Sequence, residues 1–156
     1  MTKLEHLTQY LQNSLKNKVL SNKIEAVQDT GTICPDGEDR GNGGFIVAQW
    51  RYNASIIIEE YPHNIIDPKV LLALVACWLT EFDSDRNYDE LGDPEVDVEV
   101  LDHEKADVVI EIELIEPIEM IPDKDGDIVY RGINYRVQTV PVYVADEMEV
   151  NNDFSD

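Results

Sequence analysis

Basic residues are scarce in this 156-residue chain: 12 Lys and Arg stand against 33 Asp and Glu, for a formal net charge of −21. That balance disfavours nucleic-acid binding, where affinity comes largely from cations that neutralise phosphates. Long apolar runs are missing as well. The longest, Val70 to Leu79, falls far short of the roughly 20 residues that span a bilayer, so no membrane anchor is expected. The first ten residues are polar at every second or third position and lack the basic-then-apolar pattern of a secretory leader, so synthesis and folding in the cytoplasm are expected. The only cysteines, Cys34 and Cys77, show neither CxxC spacing nor a neighbouring histidine cluster, and they read as reduced thiols of a cytosolic fold.

Chemical motifs are equally sparse. The glycines between Pro35 and Gly44 precede no Gly-Lys-Ser/Thr and form no GxGxxG, so they read as a loop and not as a phosphate cradle. Asp123-Lys124-Asp125-Gly126-Asp127 alternates carboxylates, but its glycine is fourth and Asn134 stands at the twelfth place. A calcium loop needs glycine sixth and glutamate twelfth, so an Asp-Gly hairpin turn is expected instead. His6, His63 and His103 have no ligand spacing and read as surface residues. Glu59, Glu60, Glu111, Glu113 and Glu116 could supply a carboxylate pair, yet so acidic a chain makes such pairs by chance. No GxSxG and no Cys/His arrangement is present. The expectation is a protein without catalytic residues, cofactor or metal.

What is present is a chain that can fold. Apolar residues make up 43% of it, enough for the core of one domain, read here as residues 1–144. Residues 145–156 hold five acids and no base and read as a flexible acidic tail. Thr2 and Glu5 form a capping box ahead of Leu4, Leu7, Leu11 and Leu15, predicting a helix to about Asn17. Lys23–Asp29 and Thr32–Cys34 read as short strands. From Phe45, alternation of Ile46, Ala48, Trp50, Tyr52, Ala54, Ile56 and Ile58 with polar residues predicts one unusually long strand. Asp67-Pro68 opens a helix whose apolar residues wrap most of the way round. Such a helix needs cover on two sides, and a neighbouring subunit against Leu71, Leu72, Val75, Trp78 and Leu79 is the expected second cover.

Beyond it, Val96, Val98 and Val100 alternate with Glu95, Asp97 and Glu99, and Val108–Leu114 alternates with Glu111 and Glu113. The pair reads as an antiparallel hairpin with one buried face and one carboxylate-lined face. Asp125-Gly126 is expected to join Glu119–Ile121 to Ile128–Tyr130, with Ile133–Val137 continuing the sheet. The order of helix, strands, helix, strands gives an α+β fold with a mostly antiparallel sheet and two main helices. Charge is uneven along it: 18 acids stand against Arg86, Lys105 and Lys124 between Glu81 and Asp125, whereas Met1 to Ile24 has four lysines and Glu5. Such polarity suits head-to-tail contact between copies, or simply a solvated acidic face.

Trp50-Arg51-Tyr52 leading to Ile56-Ile57-Ile58, then Leu71-Leu72 to Cys77-Trp78-Leu79, then Val96–Leu101 and Ala106-Asp107 through Leu114-Ile115-Glu116-Pro117 follow one another in a telling order. In that order they resemble the tail-completion family of P2-like bacteriophages, over a little under half the chain. The resemblance implies a tail-terminator-like fold and a structural virion protein of a contractile tail. Such a protein assembles in the host cytoplasm as a ring, hexameric by expectation. It caps the tail tube, ends polymerisation and offers the head-tail joining surface. Its implied partners are copies of itself, the tail tube protein, and the sheath and head-tail connector proteins. DNA passes through without specific binding, and Glu95, Asp97, Glu99, Glu111 and Glu113 are expected to line that passage. The Pro35–Gly44 loop and the segment after Val137 have no counterpart in the family pattern. The competing reading is an acidic decoy that imitates DNA and inhibits a DNA-binding enzyme, which −21 on one small domain would suit. An apolar helix is surplus to a decoy's needs.

Overall fold

Two strands of 17 residues each organise the chain. In order, the elements are α1 (Lys3–Ser14), a single 3₁₀ turn (Ser21–Lys23), β1 (Ile24–Cys34), β2 (Glu38–Asp39), β3 (Phe45–Tyr61), α2 (Pro68–Phe82), β4 (Glu95–Val100), β5 (Ala106–Pro122), β6 (Ile128–Tyr130) and β7 (Ile133–Gln138). The structure, a computed structural model, describes residues 1–35, 37–39 and 44–138; the acidic 145–156 stretch lies outside them. β3 and β5 pair antiparallel from Phe45↔Met120 to Tyr61↔Ala106. β1 and β2 pair with the outer edge of β3. β4 pairs with β5 at 106–111 and β7 at 119–122, and β6 closes the sheet beyond β7. The fold is one α+β domain with an antiparallel sheet, as the alternating segments predict. Among the described residues no helix is long and apolar enough to cross a membrane.

Both helices lie on one half of one face. Ile56, Ile58, Val108, Ile110 and Leu114 point toward them and are buried, because even-numbered residues of each strand share that face. Leu4, Leu7, Leu11 and Leu15, the helical stripe read from sequence, are all buried there. The Thr2–Glu5 capping box is present, with Glu5 N–H to Thr2 Oγ1 at 3.1 Å and Thr2 N–H to Glu5 Oε1 at 2.8 Å. The helix stops at Ser14, short of Asn17, because Lys18 and Val19 both donate to the Leu15 carbonyl and tighten the chain into a turn. Asp67 caps α2 through Lys69 N–H at 2.9 Å, with Pro68 in the first turn.

The strands run farther than the sequence pattern implies. β1 is continuous across the expected break, with a register shift between Gln28 and Gly31. A Cβ on Gly31 would lie 2.8 Å from the Arg51 carbonyl oxygen, so glycine lets the two backbones close there. The Pro35–Gly44 stretch, read as loop throughout, contains the two-residue β2. β5 does not end at Glu116-Pro117. Pro117 falls between the stretches paired with β4 and with β7, where a residue without an N–H costs the ladder nothing. Nor does Asp125-Gly126 make a hairpin between β5 and β6. The partner of β5 is β7, with Pro122 opposite Tyr135. The tight hairpin lies between β6 and β7, where Arg131 and Gly132 take φ of 52° and 81°; two positive φ values mark the turn whose twist matches paired strands.

A buried ionic knot joins the layers. Arg86, the one base between Glu81 and Asp93, donates to Asp83 Oδ2 at 2.9 Å, to the Glu113 carbonyl at 2.7 Å and to the Gly92 carbonyl at 2.6 Å. Lys3 Nζ meets the other Asp83 oxygen at 2.7 Å. Asp83 thus links α1, the end of α2 and, through Arg86, the edge of β5. Removing one partner of such a group strands a buried charge. Asp83→Ala is expected to lower stability by about 3–5 kcal/mol, read from denaturant midpoints; a loss below about 1 kcal/mol, the range of an exposed pair, would mean that water already reaches the knot.

Candidate functional site

The face of the sheet away from the helices is acidic by construction. Period two puts Glu95, Asp97 and Glu99 of β4 and Glu111 and Glu113 of β5 opposite the core residues of their own strands. All five expected residues therefore share one face, and pairing sets Glu95 beside Glu111 and Glu99 beside Asp107. Asp29 of β1 and Asp93 join them around a groove floored by Asn53, Ser55 and Glu113. Sequence reading missed these two because Asp29 follows no alternation with the others and Asp93 precedes the strand. Arg51 is the cation set among these carboxylates. Its Nε lies 3.9 Å from Glu113 Oε2, and its terminal nitrogen donates to the Asp89 carbonyl at 2.6 Å.

Leu71, Val75 and Trp78, expected at a subunit boundary, face inward and are buried in this chain's own core. They cannot offer a surface to another copy. The second cover inferred for α2 is supplied in part by α1: Trp78 Nε1 donates to His6 Nδ1 at 2.8 Å, and Phe82 meets His6 and Tyr10 edge-on at 4.9 and 6.3 Å. His6 is thus an inter-helix contact, and His63 bridges to the Asp102 carbonyl at 2.9 Å. Two of the five α2 residues keep surface: Leu72 is exposed, and Leu79 lines a cleft with Asp93 and Pro94.

Glu116 has a structural role that its neighbours in sequence do not announce. Its Oε2 accepts from the Lys3 backbone N–H at 3.1 Å, at the start of α1, and from the Tyr52 hydroxyl. A carboxylate there meets the positive end of the helix dipole. Burial first, and then the hydrogen bond to Glu116, push the Tyr52 hydroxyl's pKa far up, so the phenol stays neutral and donating. Around Asp123, backbone N–H bonds from Asp125 and Gly126 close a local turn. Among the described residues no three His, Cys, Asp or Glu side chains converge as metal ligands would.

Like charges directly opposite across strands repel by roughly 0.2–1 kcal/mol. Glu95→Gln and Glu99→Gln are therefore each expected to raise the melting free energy by about that amount at low salt, with the gain shrinking toward zero near 1 M salt. No gain at low salt would show that the paired carboxylates splay apart into water.

Residues 1–139 match the family described as P2 phage tail completion protein R (GpR). A protein of Haemophilus phage HP1 (strain HP1c1), described as an uncharacterized 19.2 kDa protein in the rep-hol intergenic region, is 27% identical over 146 residues, covering 94% of this chain and 87% of that one. No solved structure matches. With a match running over nearly its whole length, the chain belongs to the P2 phage tail completion protein R family and is a structural protein of a phage tail.

Proposed function

We propose that this protein closes the phage tail tube as a ring of identical copies, six by expectation, ending polymerisation and presenting the surface to which the head joins. The acidic sheet face carries the reading. Set side by side in a ring with helices outward, the copies would turn Glu95, Asp97, Glu99, Glu111 and Glu113 toward the central channel. Phosphates repelled by a negative wall do not stick, so the genome slides without stepwise release of bound ions. The tube protein meets one rim of the ring, and sheath and connector proteins meet the outside and the other rim.

Negative-stain imaging of the purified protein with tail tubes tests the ring. Annular particles or capped tube ends are expected, and tubes left open with only single copies in solution would refute it. The lumen is tested separately by Glu95→Lys, Glu111→Lys and Glu113→Lys together. Rings should still form while DNA ejection slows by on the order of tenfold or more, with recovery at higher salt. Ejection at the parental rate through such rings would remove these residues from the channel wall.

A further inference from the structure

The sheet ends in two unlike edges. On one, Val96, Val98 and Val100 of β4 stand opposite Ile110, Val108 and Ala106, so they point toward the helix layer. The helices do not reach them: Val98 is 48% and Val100 64% exposed, while their β5 partners are 1% exposed or less. The Tyr61 hydroxyl donates to the Asp67 carbonyl at 3.2 Å, which sets the start of α2 level with Tyr61↔Ala106 and so with Val100. Its far end borders Pro94, where Leu79 lines the cleft. Leu72, seven residues before Leu79, shares that flank. An apolar trough therefore runs along the edge, walled by α2 and β4. Glu95, Asp97 and Glu99 point to the other face, while Asp93 lines the cleft at one end and Glu104 stands in the exposed turn at the other.

The opposite edge bears the reverse chemistry. Between α1 and β1 the chain holds Lys16, Lys18 and Lys23 and no acid, and Leu20 projects there with 67% of its surface exposed. The turn is firmly held. Leu15 and Val19 are buried beneath it, and Gln12 Nε2 donates to the Ser21 and Ile24 carbonyls at 3.3 and 3.2 Å. The two edges also stand level. Ile24 pairs with Ile58, Ile58 with Val108, and Val108 with Val98, one straight row across four strands from the Leu20 turn to the middle of the trough.

We propose that the Leu20 turn of one copy seats in the α2–β4 trough of the next, with Lys16 and Lys18 against Asp93 and Glu104 at the two ends of the trough. The contact is heterologous, the kind that repeats into a ring when its rotation closes. It also joins the copies on the helix side, which leaves the acidic faces uncovered. The trough's occupant is a second copy because the chain's own basic knob matches it in charge, in level and in apolar tip.

The inference rests on the ring reading, and the experiment separates the two. Full-length chain carrying Cys34→Ser and Cys77→Ser is assembled on tail tubes, and rings are counted for this parent, for Lys16→Glu with Lys18→Glu, for Asp93→Lys with Glu104→Lys, and for all four changes together. Like charges set face to face should cut ring yield by about tenfold or more in each double variant, and the combined reversal should restore it. These positions are exposed, and circular dichroism checks that each variant folds. In parallel, Leu20→Cys with Val98→Cys in the parent background should give, on oxidation, a ladder of linked copies up to the ring size. Rings without that ladder overturn the contact and leave the ring standing. A parent that forms no rings overturns both.

Discussion

The pairing of β3 with β5 is the constraint from which the rest of the molecule hangs. Each strand has 17 residues, so at about 3.4 Å per residue the ladder is near 58 Å long, some three times a usual strand. Helices of 12 and 15 residues can cover only about 18 and 22 Å. The sheet therefore has a braced half, with a core between Tyr52 and Tyr61, and a half that no helix among the described residues covers, where Phe45 stacks on Tyr130 at 5.6 Å. Both α1 and α2 pack on the first half because only there do the even-numbered residues of both strands form an unbroken apolar face.

Among the described residues β4 takes one end of β5's second edge and β7 the other. Side chains meet the interval between them. Arg86 satisfies the Glu113 carbonyl, Pro117 has no donor to satisfy, and Glu116 turns its carboxylate to the first helical N–H of α1. The buried charge of Asp83, costly by itself, is matched by two cations from different layers, which places α1 against both the sheet and the end of α2.

Local signals were legible and tertiary ones were not. The capping box at Thr2, the Asp67-Pro68 start and the alternation from Ile46 to Ile58 depend on residues close in sequence, and each has its expected structure. The acidic face follows from the same alternation, which fixes a side of the strand without needing to know what lies beyond it. Where α2 meets its neighbours is another matter. Its apolar residues wrap far round the helix, so nothing in the segment says that Trp78 faces inward and finds His6, 72 residues away. Arg86 reads in sequence only as one of three bases in an acidic stretch, because its carbonyl partners carry no side-chain signature. Val108–Leu114 and Glu119–Ile121 read in sequence as separate segments, although the rule against proline holds only where the N–H is needed and sequence does not say which edge is open.

Ile46 pairs with Glu119 and Ala48 with Ile118, so Val47 is an extra residue in β3 without a counterpart on β5. Since side chains alternate, one unmatched residue reverses the parity of β5 relative to β3: even faces even from Ala48 to Ile58, and even faces odd toward Phe45. Glu119 and Met120, consecutive and both buried, sit just past the change. The sheet thereby shows its two halves opposite rules for which positions must be apolar. A single-residue deletion at Val47 would erase the reversal and turn one strand of the unbraced half inside out. Length variation along this ribbon is then confined to matched additions, one residue in each strand, which keep both parities as they are.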